Sequence, residues 1–320
     1  LNLCPFSFIL PNFAKMKLLE HKIPIVEIPI ESKVRLFIKR EDLTHPEISG
    51  NKYWKMFYNV KKYLEKEVSE RKIITFGGAF SNHIAAAAAL GNEFGIKTLG
   101  VIRGNELEDS WQENPTLFSA HQNGMSFRFV TRETYRYKEK MMKELQEEFP
   151  EALVIPEGGT NENAVEGIQY MLNDETKEFD YICSAVGTGG TVSGLSKFAQ
   201  PHQKIIGFKA VKDNSLENRI KNLSKKDNFI LIDASDGGFG KITDENVRFI
   251  NEFYQYFGIV LEPVYTGKML RKIFEMIADD YFPANSKILA FHTGGLQGIV
   301  GANEMLKKKN RNLILLHDKN

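Results

Sequence analysis

The run Tyr181-Ile182-Cys183-Ser184-Ala185-Val186 passes without a break into Gly187-Thr188-Gly189-Gly190-Thr191-Val192-Ser193-Gly194. It reads as a strand that ends in a glycine loop and then opens a helix. Glycines let a ligand approach the backbone, free N–H groups point inward, and a helix N-terminus favours an anion. Gly187, Thr188, Gly189, Gly190 and Thr191 therefore form a candidate phosphate cradle, the alternative being a tight turn that only packs. A Walker A loop would end in Gly-Lys-Ser/Thr, and a G-x-G-x-x-G fingerprint would need glycine at Val192; both fail. The loop thus suits a single phosphate better than a nucleotide.

The same joint recurs on either side. Upstream, a strand at 72–76 enters Gly77-Gly78-Ala79-Phe80-Ser81-Asn82-His83 and an alanine-rich helix at 84–94. Downstream, a strand at 287–291 ends in His292-Thr293-Gly294-Gly295. Further strands are expected at 98–103, 126–130, 152–155 and 204–211. Helices are expected at 53–70, 115–122, 135–148, 164–172 and 245–256, with a polar loop at 221–228. This alternation of short β-branched runs and helices predicts a parallel α/β architecture, whose ligands sit beyond the carboxyl ends of strands.

Ser49-Gly50-Asn51-Lys52 places a lysine where a glycine turn hands over to a helix. The helix dipole there disfavours a cation and lowers the amine's pKa. Lys52 is then a candidate nucleophile able to form a Schiff base with a carbonyl cofactor; otherwise it is one of 42 Lys and Arg residues on a solvated surface. Lys55, the nearby competitor, lies deeper in the helix. Ser81 is a plausible N-cap, or with Asn82 and His83 part of a carboxylate site. Tyr265, in Glu262-Pro263-Val264-Tyr265-Thr266-Gly267-Lys268, is either core or a phenolic acid/base, and Thr293 is the polar group best placed to meet a ligand at its strand end.

Composition narrows the class. With 42 basic and 41 acidic residues the net charge is +1, so nothing points to nucleic acid or a membrane surface. Two cysteines and no CxxC give neither a disulfide framework nor a metal site and fit a reducing, cytoplasmic compartment. No run of eighteen apolar residues exists to cross a membrane. Residues 1–10 are apolar but lack the basic flank and cleavage site of a signal peptide. Met16 is the expected start, with 1–15 an N-terminal extension.

Taken in chain order, Lys39-Arg40-Glu41-Asp42-Leu43, Ser49 to Lys52, Gly77 to His83, Gly187 to Gly194, Glu262 to Lys268 and His292 to Gly295 resemble one family. It is the pyridoxal-phosphate (PLP) enzymes that include 1-aminocyclopropane-1-carboxylate (ACC) deaminase and D-cysteine desulfhydrase, of the tryptophan-synthase-β-like fold (fold type II). The resemblance runs from about residue 28 to 306 and implies a two-domain α/β molecule with open twisted parallel sheets and helices on both faces. A large PLP-binding domain would comprise 16–52 and 156–320, and a small inserted domain 53–155. The site would lie in the cleft between them, and a homodimer is implied.

The resemblance also implies roles. Lys52 carries the cofactor and moves protons; Asn82 meets the ring hydroxyl; Ser81 and His83 hold the substrate carboxylate. Gly187, Thr188, Gly189, Gly190 and Thr191 cradle the phosphate, and Tyr265 faces the ring. ACC deaminases carry Glu where this chain has Thr266, against the pyridine nitrogen, and an apolar residue where it has Thr293. The desulfhydrases read Tyr-Thr-Gly-Lys and His-Thr-Gly-Gly, as here. A threonine hydroxyl is expected to meet a neutral ring and make a weaker electron sink, which favours β-elimination of a small amino acid such as D-cysteine over opening of a cyclopropane. ACC deamination is the alternative. Phe239 stands where relatives carry a tyrosine near the substrate, which points to another β-substituted amino acid or, more distantly, to a PLP-binding protein without turnover.

Overall fold

The computed structural model describes residues 22–316, so the expectations for 1–15 and Met16 lie outside the described residues. The first half of the chain runs β1 (Ile25–Ile28), β2 (Arg35–Lys39), α1 (Asn51–Leu64), β3 (Lys72–Gly78), α2 (Asn82–Phe94), β4 (Lys97–Arg103), α3 (Pro115–Gln122), β5 (Met125–Val130), α4 (Lys138–Glu148) and β6 (Leu153–Ile155). It continues with α5 (Glu162–Ile168), β7 (Tyr181–Val186), α6 (Gly190–Phe198), β8 (Lys204–Lys209), α7 (Leu216–Ser224) and β9 (Phe229–Asp233). Helices α8 (Asp244–Phe257) and α9 (Thr266–Ala278), strand β10 (Lys287–Phe291) and helix α10 (Gly298–Lys308) complete it.

The strands form two sheets, ordered β1-β2-β10-β7-β8-β9 and β5-β4-β3-β6. Every pairing is parallel except β1 with β2, so the six-stranded sheet has one antiparallel edge that the sequence did not announce. Each sheet has a point where strand order reverses: between β7 and β10 in the larger, between β3 and β6 in the smaller. Crevices open at such points beyond the carboxyl ends of strands. The loops expected to bind ligand leave these strands.

Helix α1 joins the sheets. Nine of its fourteen residues are buried, too many for a helix with one solvated face. Trp54, Phe57 and Val60 belong to one apolar cluster with Ile73 and Ile102 of the smaller sheet and Ile182, Val186 and Leu289 of the larger. Each such fully buried side chain contributes roughly 1.5–3 kcal/mol. The Lys39-to-Leu43 motif anchors the entry to α1. Lys39 and Glu41, both essentially inaccessible, pair at 2.7 Å; Lys39 also donates to the Met171 carbonyl, and Trp54 Nε1 donates to Glu41 at 2.6 Å. Breaking such a pair by removing one partner typically costs about 3–5 kcal/mol.

Some boundaries differ from the sequence reading. Helix α1 stops at Leu64 instead of residue 70, and a 3-10 turn at Thr134–Tyr137 precedes α4. The loop expected at 221–228 is instead the end of α7, whose buried Leu216, Ile220 and Ser224 repeat at four-residue spacing, followed by a short link into β9. Its stripe is a single residue wide among charges, which hides the period. Among the described residues no helix is long and apolar enough to cross a membrane.

Candidate active site

Gly50 sets the position of Lys52. It has φ +67°, and a Cβ there would lie 1.9 Å from the Thr293 carbonyl oxygen, so only glycine lets the α1 turn seat against the β10 loop. Lys52, second residue of α1 and partly buried, donates to Asn51 Oδ1 at 3.0 Å. Asn51 in turn donates to Thr191 Oγ1 at 2.7 Å, tying the lysine's turn to the glycine cradle. Burial lowers the Lys52 amine from 10.5 to about 8, with the Glu262 carboxylate opposing the fall. The sequence reading expected the lowering from the helix dipole; desolvation is the main cause here.

The cradle follows β7, with Gly189 in the left-handed region at φ +90° and α6 starting at Gly190. A Cβ on Gly190 would lie 2.7 Å from Thr160 Oγ1 and 3.1 Å from Lys55 Nζ. Lys55 is 3 % exposed, and among the described residues its amine donates to the Gly158 carbonyl (3.1 Å) and Thr160 Oγ1 (3.3 Å) alone. Burial first, then the charge of Lys52, push it well below the ordinary lysine value. A buried amine with two neutral acceptors calls for an anion. Sequence reasoning set Lys55 aside; its i,i+3 spacing from Lys52, which puts both on one helix face, was the available signal.

At the head of α2, Ser81 Oγ accepts from the Ile84 N–H at 3.3 Å, so the capping expectation holds. Asn82 Oδ1 accepts from Gln297 Nε2 at 2.9 Å, and a Cβ on Gly295 would touch Asn82, so α2 meets the loop after β10. The His83 ring turns inward. Thr75 Oγ1 donates to the Ile155 carbonyl (3.0 Å) and lies 2.7 Å from His83 Nε2, which makes Nε2–H the donor and leaves Nδ1 a bare acceptor with no partner among the described residues. Burial and the two lysines hold this imidazole far below its usual pKa. A neutral ring offering a lone pair does not attract a carboxylate; the His83 backbone N–H, in the first turn of α2, does.

On the other side, a Cβ on Gly187 would lie 3.1 Å from Tyr265 Cε1. Burial, then Glu262, raise the Tyr265 phenol above its ordinary value, so it stays protonated at neutral pH. Thr266 is fully buried beside Glu262. Phe239 is 55 % exposed, its ring centroid 6.1 Å from that of Tyr265, at the mouth of the site. His292 Nε2 lies 2.8 Å from the Val260 carbonyl and Nδ1 accepts from Gly294 N–H at 3.2 Å, which fixes the loop carrying Thr293.

The structure thus brings Lys52, Ser81, Asn82, Gly187 to Thr191, Tyr265, Thr266 and Thr293 to facing strand ends, and adds Lys55, Thr160 and Glu262. The donor set fits a phosphorylated carbonyl compound: an open glycine cradle beside a buried amine, with a second amine of lowered pKa close by.

Comparison with known proteins agrees. Residues 16–294 match the family model described as pyridoxal-phosphate dependent enzyme. The chain belongs to that family. It is 30 % identical to a Pyrococcus horikoshii protein named "Putative 1-aminocyclopropane-1-carboxylate deaminase", over 91 % of this chain and 94 % of that protein. It is 28 % identical to the Arabidopsis thaliana "Bifunctional D-cysteine desulfhydrase/1-aminocyclopropane-1-carboxylate deaminase, mitochondrial", over 82 % and 73 %. A solved structure described as an ACC deaminase homologue superposes with TM-score 0.77 at 28 % identity, covering 91 % of this chain and 95 % of that one. The chain is therefore a PLP-dependent enzyme of the α/β fold shared by these proteins.

For this PLP-dependent enzyme, removing the Lys55 amine should weaken cofactor capture. Lys55→Met is expected to lower PLP affinity by roughly 10- to 100-fold, the loss of one charge-assisted hydrogen bond of about 1.5–3 kcal/mol. Equilibrium titration of the apoenzyme followed by absorbance checks this; unchanged affinity would remove Lys55 from the cradle.

Proposed function

We propose that this enzyme catalyses β-elimination on a small amino acid, D-cysteine being the foremost substrate: D-cysteine and water become pyruvate, ammonia and hydrogen sulfide. The observation that carries the reading is the Lys52 amine, lowered to about 8 by burial and bonded to Asn51, which in turn bonds Thr191 of the glycine cradle. The presence of Thr266 and Thr293, rather than glutamate and an apolar residue, favours the desulfhydrase side of the resemblance.

Bound PLP supplies an electron sink next to the substrate α-carbon. The residues of the chain do the rest. Gly187, Thr188, Gly189, Gly190 and Thr191, with Lys55, would hold the phosphate, and Asn82 would meet the ring hydroxyl. Ser81 Oγ and the first-turn N–H groups of α2 take the substrate carboxylate at the positive end of the helix. Lys52 Nζ would hold the cofactor and accept the α-proton; a lowered pKa leaves a usable fraction of neutral amine near pH 7. Tyr265, held protonated, is a donor to the departing sulfur.

The same reading takes the two sheets as two domains, 16–52 with 156–320 and 53–155, closing on this cleft. A homodimer follows from the family resemblance, and a cytoplasmic setting from the cysteine usage. The deciding assay presents the holoenzyme with D-cysteine and with ACC. Sulfide and pyruvate should appear from D-cysteine at least about ten times faster than 2-oxobutanoate appears from ACC, a difference of about 1.4 kcal/mol between the two barriers. Turnover of ACC with D-cysteine untouched would establish the deaminase instead.

A further inference from the structure

The loop between β9 and α8 carries Phe239 to the mouth of the site, and its base is held by charges that the chemistry above does not use. Asp236 takes the left-handed conformation at φ +52°, uncommon for a residue with a side chain and a sign that its surroundings fix it. Its carboxylate, 10 % exposed, pairs through Oδ1 with Arg271 of α9, itself 15 % exposed, and its Oδ2 lies 4.0 Å from the buried Lys268 amine. Arg271 also reaches Glu245, in the first turn of α8, at 3.2 Å, so one guanidinium grips the chain on both sides of Phe239. Lys268 Nζ donates to the Ser235 carbonyl at 2.9 Å, and the same oxygen accepts from the Gly238 N–H at 3.0 Å.

The tip is built differently. Gly238 and Gly240 flank Phe239, and neither has an atom within 4 Å of where a Cβ would stand. The Phe239 ring is half exposed and approaches Tyr265, whose own ring lies against Gly187 of the cradle. A glycine-flanked tip has little packing of its own to fix it, so the base sets where the ring stands. Tyr265 is the residue before α9, and Lys268 and Arg271 fall in the first two turns of that helix. One helix therefore carries both Tyr265 and the clamp on the loop that faces it.

We propose that Asp236 and Arg271 are positioning residues that hold Phe239 beside Tyr265 and so decide which β-substituents the site admits. This rests on the reading that Tyr265 serves the departing group. With the pair intact the ring narrows the space next to the phenol and favours a small leaving group, the thiol of cysteine. With the pair broken the tip moves outward and a bulkier apolar thioether enters. The chemistry is unchanged: the C–S bond breaks, the sulfur takes a proton, and an S-substituted D-cysteine and water become pyruvate, ammonia and the corresponding thiol.

The test compares D-cysteine with S-benzyl-D-cysteine on the holoenzyme. Asp236→Asn removes the charge and keeps a side chain that tolerates left-handed backbone. Arg271→Met removes the guanidinium and keeps an apolar stem. In each, kcat/KM for the benzyl thioether relative to D-cysteine should rise by roughly tenfold or more, the scale of discrimination an apolar pocket provides. The rise should come through KM for the bulky substrate, with kcat for D-cysteine nearly unchanged. Hydrogen–deuterium exchange across residues 235–241 should quicken by roughly tenfold or more in the same variants, as expected on losing a charge-assisted hydrogen bond. If Arg271→Met leaves Asp236 unpaired and does not fold, Asp236→Asn carries the test. Equal changes for both substrates, or exchange no faster than in the wild type, overturns the proposal. Faster exchange in the variants, with no 2-oxo acid from either compound in the wild type, overturns the proposed function and the selection with it, and leaves only the clamp.

Discussion

Lys52→Ala is expected to lower turnover by at least roughly 10³-fold, within the range attributed to a positioned general base, because one amine both holds the cofactor and moves the α-proton. Borohydride treatment followed by peptide mass mapping should find the adduct on Lys52 in the wild-type enzyme and none at that position in the variant. Retained turnover, or trapping on Lys55 in the wild type, would reassign the roles. The lowered amine value adds a pH signature. Only the neutral amine attacks a carbonyl, so capture of PLP by the apoenzyme should accelerate as pH rises and level off above about 8. An ordinary lysine would be only about 0.3 % neutral at pH 8, against about half for Lys52. Stopped-flow absorbance across pH 6–10 should place the midpoint near the lower value; continued acceleration past pH 10 would show that burial does not act on this amine.

The largest structural effect is expected at Gly50. Alanine there must adopt φ +67° and place a methyl 1.9 Å from the Thr293 carbonyl oxygen. With ψ −145° this backbone lies in a region essentially confined to glycine, which alone costs on the order of 1–3 kcal/mol. The overlap is with backbone, which cannot swing aside, so Gly50→Ala should lose more than about 3 kcal/mol, near the upper end of point-mutant effects. Gly258, which ends α8, supplies the control. Its φ +66° and ψ 16° lie in the ordinary left-handed region and nothing lies within 4 Å of a Cβ, so Gly258→Ala should lose only the roughly 1–2 kcal/mol of that region. Thermal or urea unfolding of the two variants side by side separates what is peculiar to Gly50, its glycine-only backbone together with the contact, from the cost of an ordinary left-handed helix end. Similar losses for both would mean that the α1 turn and the β10 loop part without cost.

Much of the site was legible because its parts are local. Strand β7 and the glycines after it, the Ser81 cap and the Gly50 turn are each specified by neighbouring residues through side-chain period, missing Cβ atoms and first-turn hydrogen bonding. The ends of β7 and β10 fall where the apolar runs stop, at Val186 and Phe291. Helix α7 was missed because its buried stripe is one residue wide among charges, and the antiparallel β1 because edge pairing has no local mark.

Sequence by itself determined the α/β alternation, the glycine-loop joints and the place of a lysine at the start of α1, since each depends on residues within one or two helical turns. Tertiary structure decided which side chains face one another. Lys55 lies against the candidate cradle because α1 lies under the loops after β6 and β7, more than a hundred residues away. The His83 ring turned inward because Thr75 and Ile155 fix its tautomer, and the Thr266 hydroxyl is taken up by Glu262. In each case the deciding quantity is where a single proton sits, and that depends on the whole set of donors and acceptors that packing assembles around a buried group.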